Sequence, residues 1–334
     1  MNGNMNPYVQ SLCILLLFFV AHFLIGAALL ARTGRRPLLW VVFESAAAEV
    51  ARRLNRESRS EQDRLVRGFI VVILLLFFAL LLGLGMDYLG RLPFGWVGDL
   101  VFLSLSVAAM TPIAVLRRAG YYLGEAKPAR AMQIVQYHLP EDISGADAHA
   151  VVRKALEYAA ISMNVLLVGP SLFYAGFGPA GVMLYVAVMA MHRAFGRSEK
   201  STVYFGGTVR SLELLVNWVP ARVTAVLITL AAGAVSRASP LTALKVAAGQ
   251  AKGAESQNRG WVIGAMAGAL GAILGGPRRW ENGATSTESW IGPSTATAKQ
   301  EPEALKRGAL LVFVVYCLVM AIAALVLGLL IKFT

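Results

Sequence analysis

Charge is scarce in this chain. Of its 334 residues only 15% are Asp, Glu, Lys or Arg, while 57% are hydrophobic. A soluble domain carries about 25% charged residues, so the shortfall argues against a surface made for water alone. Cysteine is nearly missing, and Cys13 and Cys317 both fall inside apolar runs, where they read as small packing hydrophobes. Histidine is rare too. His22, His138, His149 and His192 are scattered without metal-ligand spacing, so no structural metal site is expected. Acid is in the minority: 19 Asp and Glu stand against 31 Lys and Arg, a formal charge of +12. That excess would suit a nucleic acid, but no basic stripe interleaved with aromatics and no nucleic-acid module is present. The cations collect instead between apolar runs, as in the cytoplasmic loops of membrane proteins. No nucleic-acid partner is expected.

What the chain does have is long apolar runs. A helix needs about 20 apolar residues to cross the hydrocarbon of a bilayer. Residues 8–30, 68–85 with their flanks, 96–116 and 308–331 meet that requirement. Residues 1–7 hold no Lys or Arg, and the run after them is too long for a signal-peptide core, so it reads as a retained helix. The expected fold class is all-α: one polytopic integral membrane domain, with cytoplasmic amphipathic helices and re-entrant segments, embedded in a lipid bilayer.

Between the runs, residues 32–67 form a basic amphipathic segment with nine Arg, suited to anionic lipid headgroups, and 38–55 read as an interfacial helix. Residues 117–154 form a second basic loop with helices, split by the turn chemistry of 139–145. Positive-inside logic places both basic segments in the cytoplasm and the N-terminus outside. Thr111-Pro112 should kink or shorten the third run. Residues 155–174 and 179–195, divided by Gly176-Phe177-Gly178, suggest a helical hairpin. Residues 212–235 are apolar but hold Asn217, Pro220 and Arg222; residues 260–276 are rich in Gly and Ala. Gly264, Gly268 and Gly271 have the spacing that lets helix backbones approach within a membrane. These two stretches either both cross or both re-enter, and the basic character of 236–259 favours re-entry. Residues 277–307 read as a polar flexible loop, and 308–332 as the C-terminal transmembrane helix.

Four constellations carry chemistry. In Asn217-Trp218-Val219-Pro220-Ala221-Arg222, an Arg inside an apolar run needs a partner. It either faces an anion site or snorkels to the interface. Ser256-Gln257-Asn258-Arg259-Gly260-Trp261 puts a polar turn at a helix start, where free N–H groups suit a phosphate, or simply caps a packing helix. It fits neither Walker nor dinucleotide spacing. Tyr204-Phe205-Gly206 is a turn after a polar loop. Asp142 and Asp147 flank Ser144-Gly145 as a solvated turn and a helix cap.

Taken in order with Ala265-Met266-Ala267-Gly268-Ala269-Leu270 and Gly275-Gly276-Pro277, these motifs resemble the cobalamin-biosynthesis family CobD/CbiB. The resemblance starts weakly near Pro37 and 52–56 and runs without gaps over 155–225. It implies a membrane-embedded adenosylcobinamide-phosphate synthase, which uses ATP and magnesium to join a corrin propionate to aminopropanol phosphate. It also implies candidate site-lining residues: Asp142, Asp147, Glu157, Glu213, Asn217, Arg222 and Asn258.

The chain departs from that pattern where carboxylates are expected. After Glu157, the family's Glu-Asn and a following Asp become Ile161, Ser162 and Val165. Its Lys, Asn and Asp-Ser become Val186, Met189, His192 and Arg193. Its Gly-Arg-Asp-Thr becomes Pro140-Glu141-Asp142-Ile143, and an Asp pair becomes Glu213-Leu214. Ile, Val and Met cannot hold magnesium, so ATP and magnesium are expected only if ligase activity is retained. The expectation is therefore a CobD/CbiB-family protein with a degenerate ligase site, partnered by a corrinoid or by another membrane protein. The alternative is a non-catalytic regulatory or assembly protein like AmpE, a sister family with an Asp-Trp-Val-Pro-Val-Arg version of the motif. A small-molecule carrier is a third reading.

Overall fold

A computed structural model of the chain describes residues 6–33, 37–108, 110–197, 201–280 and 285–333. Residues 1–5, Arg35 and Arg36 of the basic segment, and 281–284 of the polar segment lie outside the described residues. Helix dominates: α1 (Pro7–Thr33), α2 (Leu38–Leu54), α3 (Glu61–Gly90), α4 (Gly95–Ser106), α5 (Met110–Gly124), α6 (Pro128–Gln136) and α7 (Ala148–Met163) come first. A π-helical turn (Asn164–Val168) leads into α8 (Gly169–Phe195). Then come α9 (Gly207–Val216), α10 (Trp218–Ala232), α11 (Pro240–Gln250), α12 (Gln257–Leu270), the two-residue strands β1 (Leu274–Gly275) and β2 (Trp290–Ile291), and α13 (Glu303–Phe333).

Four helical stretches are long and apolar enough to cross a membrane: Glu61–Gly90, Gly95–Gly124, Ala148–Phe195 and Glu303–Phe333. Helix α1 adds an apolar face through Phe23, with Phe18 and Phe19 buried and Tyr316 of α13 donating its hydroxyl to the Phe19 carbonyl at 2.6 Å. The α3 and α13 helices turn large side chains outward, with Phe78 59% and Leu325 63% exposed, a surface that only lipid covers favourably. The fold is that of a polytopic helical membrane protein.

The breaks follow the chemistry of the chain. The run at 95–124 parts at Val107, whose extended backbone ends α4, and Pro112 then sits in the first turn of α5, where its missing N–H leaves no gap. The freed Ala108 N–H donates to the Leu166 carbonyl at 3.1 Å. Pro170 explains why that carbonyl is available. It has no N–H to offer its own helix four residues back. The hairpin forms at Gly178, whose φ of 62° suits a residue without Cβ. Residues 169 and 185 would lie roughly 24 Å apart in a straight helix. Instead Gly169 packs on the Tyr185 ring, and the Phe173 and Tyr185 rings stand 5.0 Å apart.

Helices α9 and α10 meet at Asn217 with a bend of 48°. Helices α11 and α12 run antiparallel through a row of small contacts. A Cβ on Gly260, Gly264 or Gly268 would meet Ala251 O, Ala247 Cα or Thr242 O at 2.0, 2.8 and 2.4 Å. Gly271 does not extend that row, because its φ of 64° makes it the left-handed cap of α12. The polar segment after Pro277 is anchored where it is described. Leu274 and Gly275 pair with Ile291 and Trp290, Ser286 N–H reaches the Arg278 carbonyl, and Gln250 pairs with Gly292. The last helix starts at Glu303, so residues 303–307 already belong to α13.

Candidate functional site

A cavity of about 240 Å³ opens among α2, α7, α8, α9, α12 and the β1–β2 loop. Its inner wall is apolar, made by Trp40, Ile161, Val165, Leu166, Met189 and Val262. The wall comes from the hairpin, where α7 and α8 turn one face inward. Trp40 is fixed from behind by its Nε1–H, which donates to the Ser106 carbonyl at 2.7 Å.

A buried polar chain lies beside this wall. The π-helical turn rotates Asn164 into the interior, with Gly169 N–H closing back on its carbonyl. Asn164 Nδ2 donates to Asn217 Oδ1 at 2.9 Å, and its own Oδ1 accepts from Thr224 at 3.2 Å. Tyr185 also donates to Asn217 Oδ1, at 3.2 Å. Asn217 Nδ2 donates onward to Glu213 Oε1 at 3.0 Å, and Ser256 donates to the other Glu213 oxygen at 3.1 Å. The polar atoms of these amides are thus met inside the fold, as burial requires.

The rim is a closed ring of alternating charge. Lys154 meets Glu157 at 3.1 Å and Glu141 at 2.9 Å; Arg259 meets Glu157 at 3.2 Å and Glu288 at 2.6 Å. Arg278 closes the ring between Glu288 and Glu141, and takes Glu255 as a further partner at 2.5 Å. Glu157 also accepts the Gly275 N–H at 2.8 Å. Burial pushes the Glu141 carboxyl up, but Lys154, Arg259 and Arg278 outweigh it and hold the group below its usual range. Burial likewise lowers Arg278, and Glu141, Glu288 and Glu255 reverse that and raise it.

The structure brings together some of the residues expected at the site. Glu157, Glu213 and Asn217 line the cavity. Asn258 stands directly behind, with Nδ2 donating to the carbonyls of Glu213 and Leu214 at 3.4 and 3.1 Å. Arg222 lies outside the cavity, joined to Asn258 through Nη1. Asp142 and Asp147 are elsewhere. Asp142 accepts from the Ser144 N–H and hydroxyl, which hold its carboxyl below its usual range, and Asp147 caps α7 by accepting the Ala150 N–H at 2.6 Å. Phe205 of the Tyr204-Phe205-Gly206 turn is fully buried against Phe195.

Sequence reasoning passed over Asn164, Tyr185 and Lys154. Asn164 carried a usable signal, a lone amide within an apolar run that spans a membrane. Lys154 carried only its i,i+3 spacing to Glu157; the fold brings it to Glu141.

A protein-family model, the CobD/Cbib protein model, matches residues 18–312 of the chain. The chain belongs to the CobD/CbiB family. Among its relatives, this family member is 30% identical to the cobalamin biosynthesis protein CobD of a Sinorhizobium species, over 80% of this chain and 84% of that protein. It is 29% identical to the protein of that name from Rhodobacter capsulatus, over 84% and 85% of the two chains. Against the one from Halalkalibacterium halodurans it is 28% identical, over 71% and 75%. No solved structure matches it.

The ligase reaction implied by the family resemblance uses magnesium and ATP, and the donor set of this CobD/CbiB chain fits magnesium poorly. Magnesium demands oxygen ligands in near-octahedral order. Ile161, Val165 and Met189 offer none. The cavity's own carboxylates are taken: Glu44 by Arg193, Glu141 and Glu157 by the ring, Glu255 by Arg278, Glu213 by Asn217 and Ser256. Among the described residues no group of three or more His, Cys, Asp or Glu is placed to hold a metal ion.

Proposed function

We propose that this chain acts in cobalamin biosynthesis at the bacterial inner membrane, as a corrinoid-binding member of the CobD/CbiB family whose ligase site is degenerate. The observation that carries the reading is the pairing of a hydrocarbon wall at Ile161, Val165 and Met189 with a rim whose glutamates are all engaged. Such a cavity takes up a part-apolar arm with a polar end. Of the cations that line it, Arg193, Arg259 and Arg278 are in ion pairs and Arg210 donates to the carbonyls of Gly196, Arg197 and Val203, so gripping a free triphosphate means opening several of these contacts, at roughly several kcal/mol for each buried pair. Its 240 Å³ lie below the ~300–1,000 Å³ that enclose a drug-sized ligand, so a corrin ring stays outside and only a side arm enters.

Trp40 and Trp280 line the cavity and report on it. Titrating cobyric acid into the detergent-solubilised chain should quench tryptophan fluorescence to saturation, and Val165→Trp, which fills the wall, should remove that saturable part. A non-saturating response in well-folded protein would refute corrinoid binding.

The basic segments 32–67 and 117–154 lie on the cytoplasmic side in this reading, with the N-terminus outside. A cysteine introduced at Leu92 should then react with an impermeant maleimide in intact cells, and one introduced at Ser58 should not. The reverse pattern would invert the orientation.

A further inference from the structure

Arg222 differs from the rim arginines in its surroundings. It lies on α10 in a stripe with Trp218, Val226 and Leu230, which are 55%, 48% and 57% exposed. In a membrane protein such an apolar stripe faces lipid. The guanidinium is held between two indoles, 4.7 Å from the Trp218 ring centre and 5.4 Å from that of Trp261. Its Nη1 alone is used, donating to the Trp218 carbonyl at 3.1 Å and to Asn258 Oδ1. Among the described residues no carboxylate pairs with it, and Nε and Nη2 have no acceptor. A half-buried cation on a lipid-facing stripe, held in place on one edge and open on the other, needs an anion. The anion that a bilayer supplies next to tryptophan is the headgroup phosphate, and guanidinium matches phosphate through two parallel N–H donors.

We propose that Arg222, walled by Trp218 and Trp261, binds the phosphate of one anionic phospholipid. The site is connected to the cavity. Asn258 is 1% exposed and joins Arg222 to the Glu213 and Leu214 carbonyls, so a lipid on Arg222 braces the wall that carries Glu213.

Phosphatidylglycerol titrated onto the full chain in a mild detergent, read by native mass spectrometry, tests this. The wild-type chain should take up one tightly held lipid, saturably. Arg222→Gln should weaken that uptake by about tenfold or more, as the loss of charge-assisted hydrogen bonds implies, and Arg222→Lys should keep part of it. Inorganic phosphate should not compete. Non-saturating uptake by the wild-type chain overturns the site, as does equal uptake by Arg222→Gln. Displacement by inorganic phosphate would make it a free-anion site instead. If Arg222→Gln does not fold, Trp218→Ala, on the exposed side of the clamp, gives the same reading through weaker uptake.

Discussion

Glu157 is 1% exposed and receives three donors, from Lys154, Arg259 and the Gly275 backbone. Removing it takes one of two carboxylate partners from each of two half-buried cations, Lys154 and Arg259. Glu157→Ala should therefore destabilise the protein by about 3–5 kcal/mol, the range for breaking a buried pair from one side. Thermal unfolding in detergent reads this, and an unchanged midpoint would mean that the ring does not hold in solution. Glu141 adds a pH signature. Its carboxyl is held below the ordinary 4.5, so its stabilising share is complete above that pH and fades as pH falls through the lower folded-state value. The unfolding midpoint should drop on acidification below about 4.5, and Glu141→Gln should flatten that slope. Identical slopes in both proteins would count against the pairing. At this scale the sequence was partly legible. Glu157 and Asn217 stand in matching motifs and Glu213 at a departure, where the family has an Asp pair, whereas the ring draws on α7, α12 and two loops that no local pattern connects. The spacing of Asp142 and Asp147 read as a turn and a cap, and only the family resemblance made them site candidates; their side chains serve that turn and cap.

The helices were easier to read, because Pro and Gly act through the backbone of their own segment. Pro112 and Gly178 mark the break and the hairpin where the chain was expected to bend. Gly264 and Gly268 were legible as close packing, but Gly271 was counted with them although it caps α12, Gly260 was not, and the partner helix α11 went unread, since a short Ala-rich helix carries little pattern of its own. Gly268→Val should cost about 1–3 kcal/mol by overpacking, because the new Cβ meets the Thr242 carbonyl at 2.4 Å in the wild-type geometry. Gly249→Val is the control, since a Cβ there has nothing within 4 Å. Equal thermal midpoints for the two variants would show that α11 and α12 are not so tightly packed. The π-helical turn at Asn164–Val168 had no sequence signal beyond Pro170, because it arises from a proline and a carbonyl that the α4–α5 break satisfies.

As a whole molecule, the chain matches its family's model over residues 18–312 while the inner wall of its cavity is hydrocarbon. The spans at 68–85, 96–116 and 308–331 were legible from composition alone, since about 20 apolar residues in a row have few other uses, whereas the run at 8–30 is described as an apolar helix only through Phe23. The cavity was legible only as a set of substitutions, Ile161, Val165, Met189 and His192, which the fold gathers onto one wall. The central claim is that this wall cannot support magnesium-dependent ligation. The most direct measurement is growth on cobyric acid of a strain lacking its own cobinamide-phosphate synthase. With the chain present in the membrane at a level where a relative bearing the expected carboxylates rescues growth, the account predicts no rescue. Growth supported by this chain would contradict it.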